Sequence, residues 1–312
     1  MKDTSGHICA PGDWTVKGVN RRALLRAELE SFLREKLDAA LSVELFDTES
    51  SKDVFRAVRG DGGLMFVKVV RSEQAARLKA LSEKLAQPFV AKVYCVFPWR
   101  DGWCVVCMEW QSGRHIPLED LNEGQLQSLA DVHLRLVAAL KPELELLPPK
   151  DYAEVYDTIA DFARRHPLAR PLLKPLLSIP PADRIAPAER LCSIHGDFHY
   201  LNYLFEGDEI SAVMDFDKVR RDLPVWDIAY NLLRRYYKGH LDAAKTQALD
   251  ENVRRLVSLL PYSGQDWKVA LNDIRLLFAA RRLKAHPKSF WTAFLVRSRD
   301  KALRRVVERV LP

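Results

Sequence analysis

The chain of 312 residues is poor in cysteine and contains no long apolar run. Its five cysteines form an odd and sparse set, which argues against a framework of disulfide bonds. No apolar run approaches the roughly 20 residues that a membrane-spanning helix needs. Residues 1–13 also lack the apolar segment of a signal peptide. We therefore expect a cytoplasmic protein with no membrane partner.

Two glycine-rich phosphate-binding motifs, G-x-G-x-x-G and G-x-x-x-x-G-K-[ST], are absent, which excludes a P-loop enzyme. A C-x-x-C pair is present at Cys104 and Cys107, within an apolar segment typical of a β-strand. Residues three apart in a strand face opposite sides of a sheet. We therefore interpret both cysteines as small core residues rather than as a zinc site.

Acidic residues are scarce towards the end of the chain, although the overall composition is that of an ordinary soluble protein, with 48% hydrophobic and 29% charged residues. The net charge is +6, and from Arg281 onward only Asp300 and Glu308 oppose a series of basic side chains. Such a bias can serve acidic partners, but it lacks the interleaved aromatic residues of a single-strand binder. We favour solvated helix faces over a nucleic-acid partner, and the bias also argues against a polycationic substrate.

The most informative segment is 193–217. His195, Asp197 and Asn202 reproduce the spacing H-x-D-x-x-x-x-N of a kinase catalytic loop, in which the Asp is the base and the Asn binds magnesium. In phosphoryl transfer a later Asp holds the metal that bridges the phosphates, and Asp215 stands where that residue is needed.

A predicted β-hairpin brings the two metal ligands together. Residues 203–205 and 210–214 are typical of strands, and the turn between them is centred near Gly207. This hairpin folds Asn202 back beside Asp215, so that two oxygen ligands meet at one end of a ribbon. Magnesium usually takes one or two carboxylates and completes its shell with phosphate and water. The pair therefore predicts half of a magnesium site.

On these residues the chain resembles the aminoglycoside phosphotransferase and choline kinase superfamily, which has a protein-kinase-like fold. The resemblance covers about residues 42–240, and within the superfamily the chain is most similar to the spore-coat kinase-like proteins and type II homoserine kinases, through the run 215–222. The matching positions are His195, Gly196, Asp197, Asn202, Asp215 and the run Pro224-Val225-Trp226-Asp227-Ile228-Ala229.

The resemblance implies a role for each residue of this set. Asp197 positions or deprotonates the acceptor hydroxyl, while Asn202 and Asp215 bind magnesium. Asp227 supports the catalytic loop by hydrogen bonds from a helix behind it, and His195 binds the backbone around Asp215.

The first third of the chain predicts the small lobe of such a fold, with strands and two helices. Lys68 lies among apolar residues of a strand, and burying an unpaired ammonium group is costly. In kinases this lysine reaches the α- and β-phosphates and pairs with a helix glutamate. We select Glu73 as this partner, and another residue such as Glu83 stays open. We expect helices over 21–41 and 72–85, and strands over 42–46, 54–58, 64–70, 91–97 and 103–109.

Two further nucleotide contacts follow from the resemblance. Ser50 and Ser51 lie in the loop that would cover the phosphates, although a plain polar hairpin loop is an equally good interpretation. The backbone of Glu109 and Gln111 would bind adenine at the hinge. Beyond Pro117 the pattern turns helical, with predicted helices over 124–140, 152–165 and 168–177.

The sequence thus predicts an α+β, bilobal protein-kinase-like fold, with a small antiparallel-sheet N-lobe over residues 1–110 and a mainly helical C-lobe over 111–312. The predicted activity is transfer of the γ-phosphoryl group of ATP, with Mg²⁺, to a hydroxyl of a small-molecule acceptor. A catalytically idle scaffold, for example in a spore coat, stays open as an alternative, with spore association as its location. The identity of the acceptor and the oligomeric state are left open.

Overall fold

The computed structural model describes residues 21–45, 54–85, 87–140, 151–179, 190–238, 241–287 and 289–310. The chain divides into two compact units, Met1–Gln111 and Ser112–Pro312.

A five-stranded antiparallel sheet and two helices make up the described part of the first unit. The strand order is β1-β2-β3-β5-β4, as the predicted small antiparallel lobe requires. The elements are α1 (Arg21–Lys36), β1 (Ser42–Leu45), β2 (Val54–Val58), β3 (Leu64–Arg71), α2 (Ser72–Leu85), β4 (Val93–Arg100) and β5 (Trp103–Glu109).

The core of the first unit lies between α1 and one face of this sheet. Leu25, Leu29 and Leu33 are spaced four apart on α1 and are almost fully buried, so they form one helical stripe. The stripe packs in one cluster with Val67 of β3 and Cys107 of β5. Because side chains alternate between the two faces of a strand, every second residue of the central strands points towards α1 and packs against it.

Helix α1 ends at Lys36, five residues before the predicted end at Leu41. The reason is Asp38, whose carboxylate accepts hydrogen bonds from the backbone N–H groups of Ala40 and Gly60. A short acidic side chain that binds nearby backbone competes with helix continuation. The chain therefore turns into β1 earlier than the apolar period suggested.

Strand β4 begins two residues later than predicted and continues to Arg100, through Pro98. Proline cannot donate a backbone hydrogen bond, so it is tolerated on edge strands. Strand β4 is an edge of the sheet, and its pairing with β5 is irregular next to Pro98. The predicted end at Phe97 was therefore wrong.

The described part of the second unit is mainly helical, which completes the predicted fold class. The helices are α3 (Glu123–Ala139), α4 (Tyr152–Arg165), α5 (Arg170–Leu177), α6 (Trp226–Lys238), α7 (Ala243–Leu259), α8 (Gly264–Ala285) and α9 (Phe290–Val310). The strands are β6 (Cys192–Ile194), β7 (Tyr203–Glu206), β8 (Glu209–Val213) and β9 (Arg220–Asp222). Helix α5 begins at Arg170 rather than Leu168, because Pro171 occupies its first turn, where proline is favoured.

Two small ribbons carry the site. Strands β7 and β8 form the predicted hairpin, with Tyr203 opposite Val213. Strands β6 and β9, which the sequence did not reveal, pair with Ile194 opposite Arg220. Because both ribbons start or end at the segment 195–202, they fix its two ends.

Among the described residues, no helix is long and apolar enough to cross a membrane.

Candidate active site

The loop between β6 and β7 is anchored by Asp227, a fully buried residue in the first turn of α6. Its two carboxylate oxygens accept hydrogen bonds from the backbone N–H groups of His195 and Gly196, each at 2.8 Å. Burial raises the pKa of Asp227 to about 7, although these two hydrogen bonds and the charge of Arg220 act to lower it. The helix thereby holds the start of the loop in one position.

His195 links this loop to the segment before Asp215. Its Nε2 atom lies 2.8 Å from the carbonyl oxygen of Met214, which can only accept, so Nε2 carries the proton. The other ring nitrogen, Nδ1, accepts from the backbone N–H of Asp197 at 3.3 Å. Burial lowers the pKa of His195 to about 4, so the ring is neutral at physiological pH.

Gly196 allows the loop to lie directly against the segment after Asp215. Its φ angle is +78°, in the left-handed region that favours glycine. A Cβ atom at this position would overlap the backbone carbonyl of Lys218 and the guanidinium of Arg220. Both the positive φ angle and the lack of room for a Cβ atom therefore require glycine at position 196.

Asp197 lies at the centre of the site and is almost fully buried. Its Oδ2 atom accepts a hydrogen bond from Lys218 Nζ at 2.6 Å. Its Oδ1 atom has no hydrogen-bond partner in the described part of the chain and lies 3.6 Å from His199 Nε2. Burial acts to raise the pKa of Asp197, but the charge and hydrogen bond of Lys218 outweigh it, so the pKa falls to about 2.

His199 borders Asp197 as a neutral ring. Burial lowers its pKa to about 3, and the charge of Arg234 lowers it further, whereas Asp197 acts in the opposite direction. The side chain of Asn202 donates to the backbone carbonyl of Asp197 at 2.8 Å and lies 3.4 Å from His199 Nε2. The ring therefore lies beside both polar residues without adding a charge.

Asn202 and Asp215 are brought together as the hairpin predicts. The backbone N–H of Met214 donates to the carbonyl of Asn202 at 2.8 Å, which places Asp215 one residue from this contact. Asp215 has φ +65°, and no other non-glycine residue that the structure describes has a positive φ. Strained conformations of this kind cluster at functional sites.

This pair has the composition of a partial magnesium shell. Among the described residues, no group of three or more His, Cys, Asp or Glu side chains could hold a metal by itself. Magnesium does not need one, because it is commonly held by one or two protein oxygens together with substrate phosphates and water. Asn202 and Asp215 therefore fit an ion that is bound together with a phosphate ligand.

A buried charged cluster behind the loop was missed at the sequence level. Arg220 binds Asp222 Oδ2 through two nitrogens at 3.1 and 3.3 Å, and donates to the carbonyl of Gly196 at 3.1 Å. Tyr152 donates to the same Asp222 oxygen at 2.8 Å, and the guanidinium lies 4.1 Å from the ring centre of Trp226. The available signal was an Arg and an Asp two residues apart in a short polar segment, where a strand puts both on one face.

In the first unit, Lys68 is a buried residue of β3, with 7% of its surface exposed. Glu73 stands in the first turn of α2, but its side chain is 89% exposed and lies 3.9 Å from Arg77. The pairing of Lys68 with Glu73 stays a prediction.

The predicted hinge lies at the end of β5. The backbone N–H of Glu109 donates to the carbonyl of Lys92 at 2.8 Å, and its carboxylate accepts from Gln111 Nε2 at 2.9 Å. An adenine contact at Glu109 would therefore use its carbonyl group. Ser50 and Ser51 lie outside the described residues.

Comparison with known proteins gives the fold and the family. Solved structures that the chain resembles include aminoglycoside phosphotransferase APH(4)-Ia with ADP and hygromycin B, at 16% identity and a TM-score of 0.59, over 89% of this chain and 98% of that one. Amicoumacin kinase hAmiN in complex with AMP-PNP, Ca²⁺ and Ami has 13% identity and a TM-score of 0.58, over 91% of this chain and 96% of that one. The GDP complex of aminoglycoside 2'-phosphotransferase-IIIa has 13% identity and a TM-score of 0.62, over 89% of this chain and 99% of that one.

These identities show a shared fold. Comparison with curated protein sequences found no match. The model of the phosphotransferase enzyme family (APH) matches residues 42–257, which is more than half of the chain and includes every site residue of the second unit described above. The chain therefore belongs to the phosphotransferase enzyme family.

Proposed function

We propose that this protein is an ATP- and Mg²⁺-dependent kinase that transfers the γ-phosphoryl group to a hydroxyl of a small-molecule acceptor. The observation that carries this proposal is the constellation of Asp197, Asn202 and Asp215 within one hydrogen-bonded loop and hairpin. The buried carboxylate of Asp197 has one oxygen available to bind an acceptor hydroxyl, and the candidate metal ligands Asn202 and Asp215 belong to the same loop and hairpin. Family membership supplies the reaction class.

Nucleotide use is supported by the similar structures, which contain ADP, AMP-PNP or GDP. In this chain we assign Lys68 to the α- and β-phosphates, with Glu73 as its candidate partner. Asn202 and Asp215 would hold the magnesium ion, which would supply positive charge to neutralise the phosphates. Ser50, Ser51 and the backbone of Glu109 and Gln111 complete the proposed nucleotide contacts.

The low pKa of Asp197 decides how it would act. A carboxylate with a pKa of about 2 is a weak base at neutral pH, so its main contribution is to orient the acceptor hydroxyl through Oδ1. The acceptor oxygen forms a bond to the γ-phosphorus while the bond to the bridging oxygen breaks and leaves its electron pair on ADP. The hydroxyl proton passes to Asp197 late in the transfer and then to solvent.

The positive charges near Asp197 affect which acceptors can bind there. Lys218 forms an ion pair with the carboxylate of Asp197. The pKa of the adjacent His199 is lowered mainly by burial and also by the positive charge of Arg234. Cationic surroundings disfavour a polycationic acceptor of the aminoglycoside type, so we propose a neutral or acidic hydroxyl compound. Kinship to the spore-coat and homoserine kinase branch and a cytoplasmic location stay predictions.

A catalytically idle scaffold is the second candidate, and the exposure of Glu73 is the observation that favours it. In active kinases the ion pair between this glutamate and the phosphate-binding lysine is in place, so an exposed Glu73 favours a protein with little nucleotide turnover. Such a protein would keep the fold without nucleotide turnover.

Formation of ADP from Mg·ATP distinguishes the two candidates. Wild type would be assayed with sugars, amino alcohols, hydroxy acids and an aminoglycoside, beside Asp197→Asn. The control is Asp208→Asn, which alters an exposed aspartate in the β7–β8 turn. We expect acceptor-dependent ADP formation that Asp197→Asn reduces by about 10²-fold or more. A folded wild type that forms no ADP and binds no nucleotide would favour the scaffold.

A further inference from the structure

Lys218 is attached to the catalytic loop through its backbone as well as its side chain. It ends a short 3-10 turn, Phe216–Lys218, and is followed by β9, which pairs with β6. Its carbonyl lies against Gly196, where no side chain fits. The β6–β9 ribbon therefore brings an ammonium group to Asp197 from a part of the chain 21 residues away.

The contact between Lys218 and Asp197 is not needed to hold the ribbon together. Strand pairing and the bond from Arg220 to the Gly196 carbonyl already do so. The Lys218 side chain is 45% exposed, whereas that of Asp197 is 7% exposed. The ammonium group is therefore accessible to a bound ligand, although its carboxylate partner is buried.

Donor capacity is left over on Lys218. An ammonium group has three N–H donors, and among the described residues its hydrogen-bond partner is Asp197. Asp197 in turn uses Oδ2 for this bond and leaves Oδ1 without a hydrogen-bond partner in that part of the chain. The carboxylate of Asp197 thus has an oxygen for the acceptor hydroxyl on one side and the ammonium group of Lys218, with unused N–H donors, on the other.

We propose that Lys218 is a second catalytic residue, whose ammonium group binds Asp197 before the reaction and also contacts the phosphoryl group during transfer. This inference rests on the proposed phosphotransferase function. At the moment of attack the acceptor oxygen is about 3–3.5 Å from the γ-phosphorus. A hydroxyl bound to Asp197 Oδ1 therefore brings the equatorial phosphoryl oxygens within reach of Lys218.

In this arrangement Lys218 keeps its proton throughout. It donates hydrogen bonds to a phosphoryl oxygen as charge develops there, while the acceptor–phosphorus bond forms and the electron pair of the breaking bond stays on ADP. Donors placed where charge develops lower the barrier more than they strengthen substrate binding. Removal of Lys218 should therefore affect the transition state more than nucleotide affinity.

The test compares binding of ADP·Mg²⁺ with and without fluoroaluminate, which mimics the transferring phosphoryl group. Isothermal titration would be applied to wild type, Lys218→Met, Lys218→Arg and a control, Lys245→Met, which changes an exposed lysine of α7. Circular dichroism checks that each variant is folded. Hydrolysis of Mg·ATP, with water as the acceptor, gives kcat.

We expect all four proteins to bind ADP·Mg²⁺ with similar dissociation constants. Fluoroaluminate should tighten binding to wild type and to Lys245→Met, whereas Lys218→Met should lose at least tenfold of this tightening and about 10²–10³-fold in kcat. Lys218→Arg should retain part of both, because it keeps the charge but changes the geometry.

Two results would overturn the inference while leaving the proposed function intact. One is equal tightening by fluoroaluminate in wild type and Lys218→Met. The other is nucleotide binding without tightening in either protein, with equal or faster hydrolysis by Lys218→Met. A folded wild type that binds no nucleotide would overturn the proposed function and this inference with it.

Discussion

Gly196 and Lys218 are in backbone contact, and a Cβ atom on residue 196 would overlap the Lys218 carbonyl oxygen. Gly196 also has φ +78°. We predict that Gly196→Ala displaces the loop and lowers ADP formation by at least tenfold. The matched control is Gly207→Ala. Gly207 has φ +62° but no atom within 4 Å of an added Cβ, so this variant introduces backbone strain without a steric overlap. Equal loss of activity in both variants would contradict this account.

Asp227 stabilises the loop through two buried hydrogen bonds. Asp227→Ala leaves the backbone N–H groups of His195 and Gly196 without their acceptor, at a cost of about 1–3 kcal/mol each. The free energy of unfolding, measured by urea denaturation, should fall accordingly. The control Asp242→Ala removes an exposed helix cap from α7 and should cost only about 1 kcal/mol. Similar losses in the two variants would refute the anchoring role of Asp227.

The buried pair of Arg220 and Asp222 should be sensitive to loss of one partner. Asp222→Ala leaves a buried guanidinium without its carboxylate, and such changes typically cost 3–5 kcal/mol. The comparison variant is Glu251→Ala, which removes one partner of the exposed pair with Arg255 on α7 and should change stability by less than about 1 kcal/mol. Thermal unfolding of both variants checks this, and a small loss for Asp222→Ala would be inconsistent with the structure.

The pair of Asp197 and Lys218 predicts a specific pH dependence of stability. The folded pKa of Asp197, about 2, lies below its usual value of about 3.9, because Lys218 outweighs burial, with smaller contributions from His199 and His195. A lowered pKa contributes stability above the unfolded value, and this contribution is lost as pH falls through the folded value. Lys218→Met should therefore be less stable than wild type by about 1 kcal/mol at pH 7, given its exposure.

This difference should shrink as the pH is lowered from about 4 to about 2. Denaturation curves at pH 7, 4 and 2 provide the measurement. A difference that stays constant, or that grows towards low pH, would show that the ion pair is not its source.

The sequence predicted the features of the site that depend on local spacing. Asn202 and Asp215 flank a hairpin, so strand periodicity and one turn were enough to bring them together. The pairing of β6 with β9 was missed, because both strands have three residues and show no period. Lys218 acquires its partner Asp197 through this pairing, and Tyr152 reaches Asp222 across 70 residues. Such long-range contacts leave no periodic signal in a single sequence.

The boundaries of α1 and β4 failed for a different reason. Apolar spacing continued past the true end of α1, but Asp38 offered the backbone a competing hydrogen-bond partner. The predicted end of β4 lay just before Pro98, whereas the edge position makes this proline tolerable within the strand. Both errors come from contacts that periodicity does not encode.

The most direct test of the central claim is thermal unfolding with and without AMP-PNP and Mg²⁺, for wild type and Asp215→Ala. At about 100 times its dissociation constant, a bound ligand stabilises a protein by roughly 2.7 kcal/mol. We predict a magnesium-dependent increase in the unfolding temperature of wild type that Asp215→Ala abolishes. No increase in a folded wild type, or the same increase in Asp215→Ala, would contradict it.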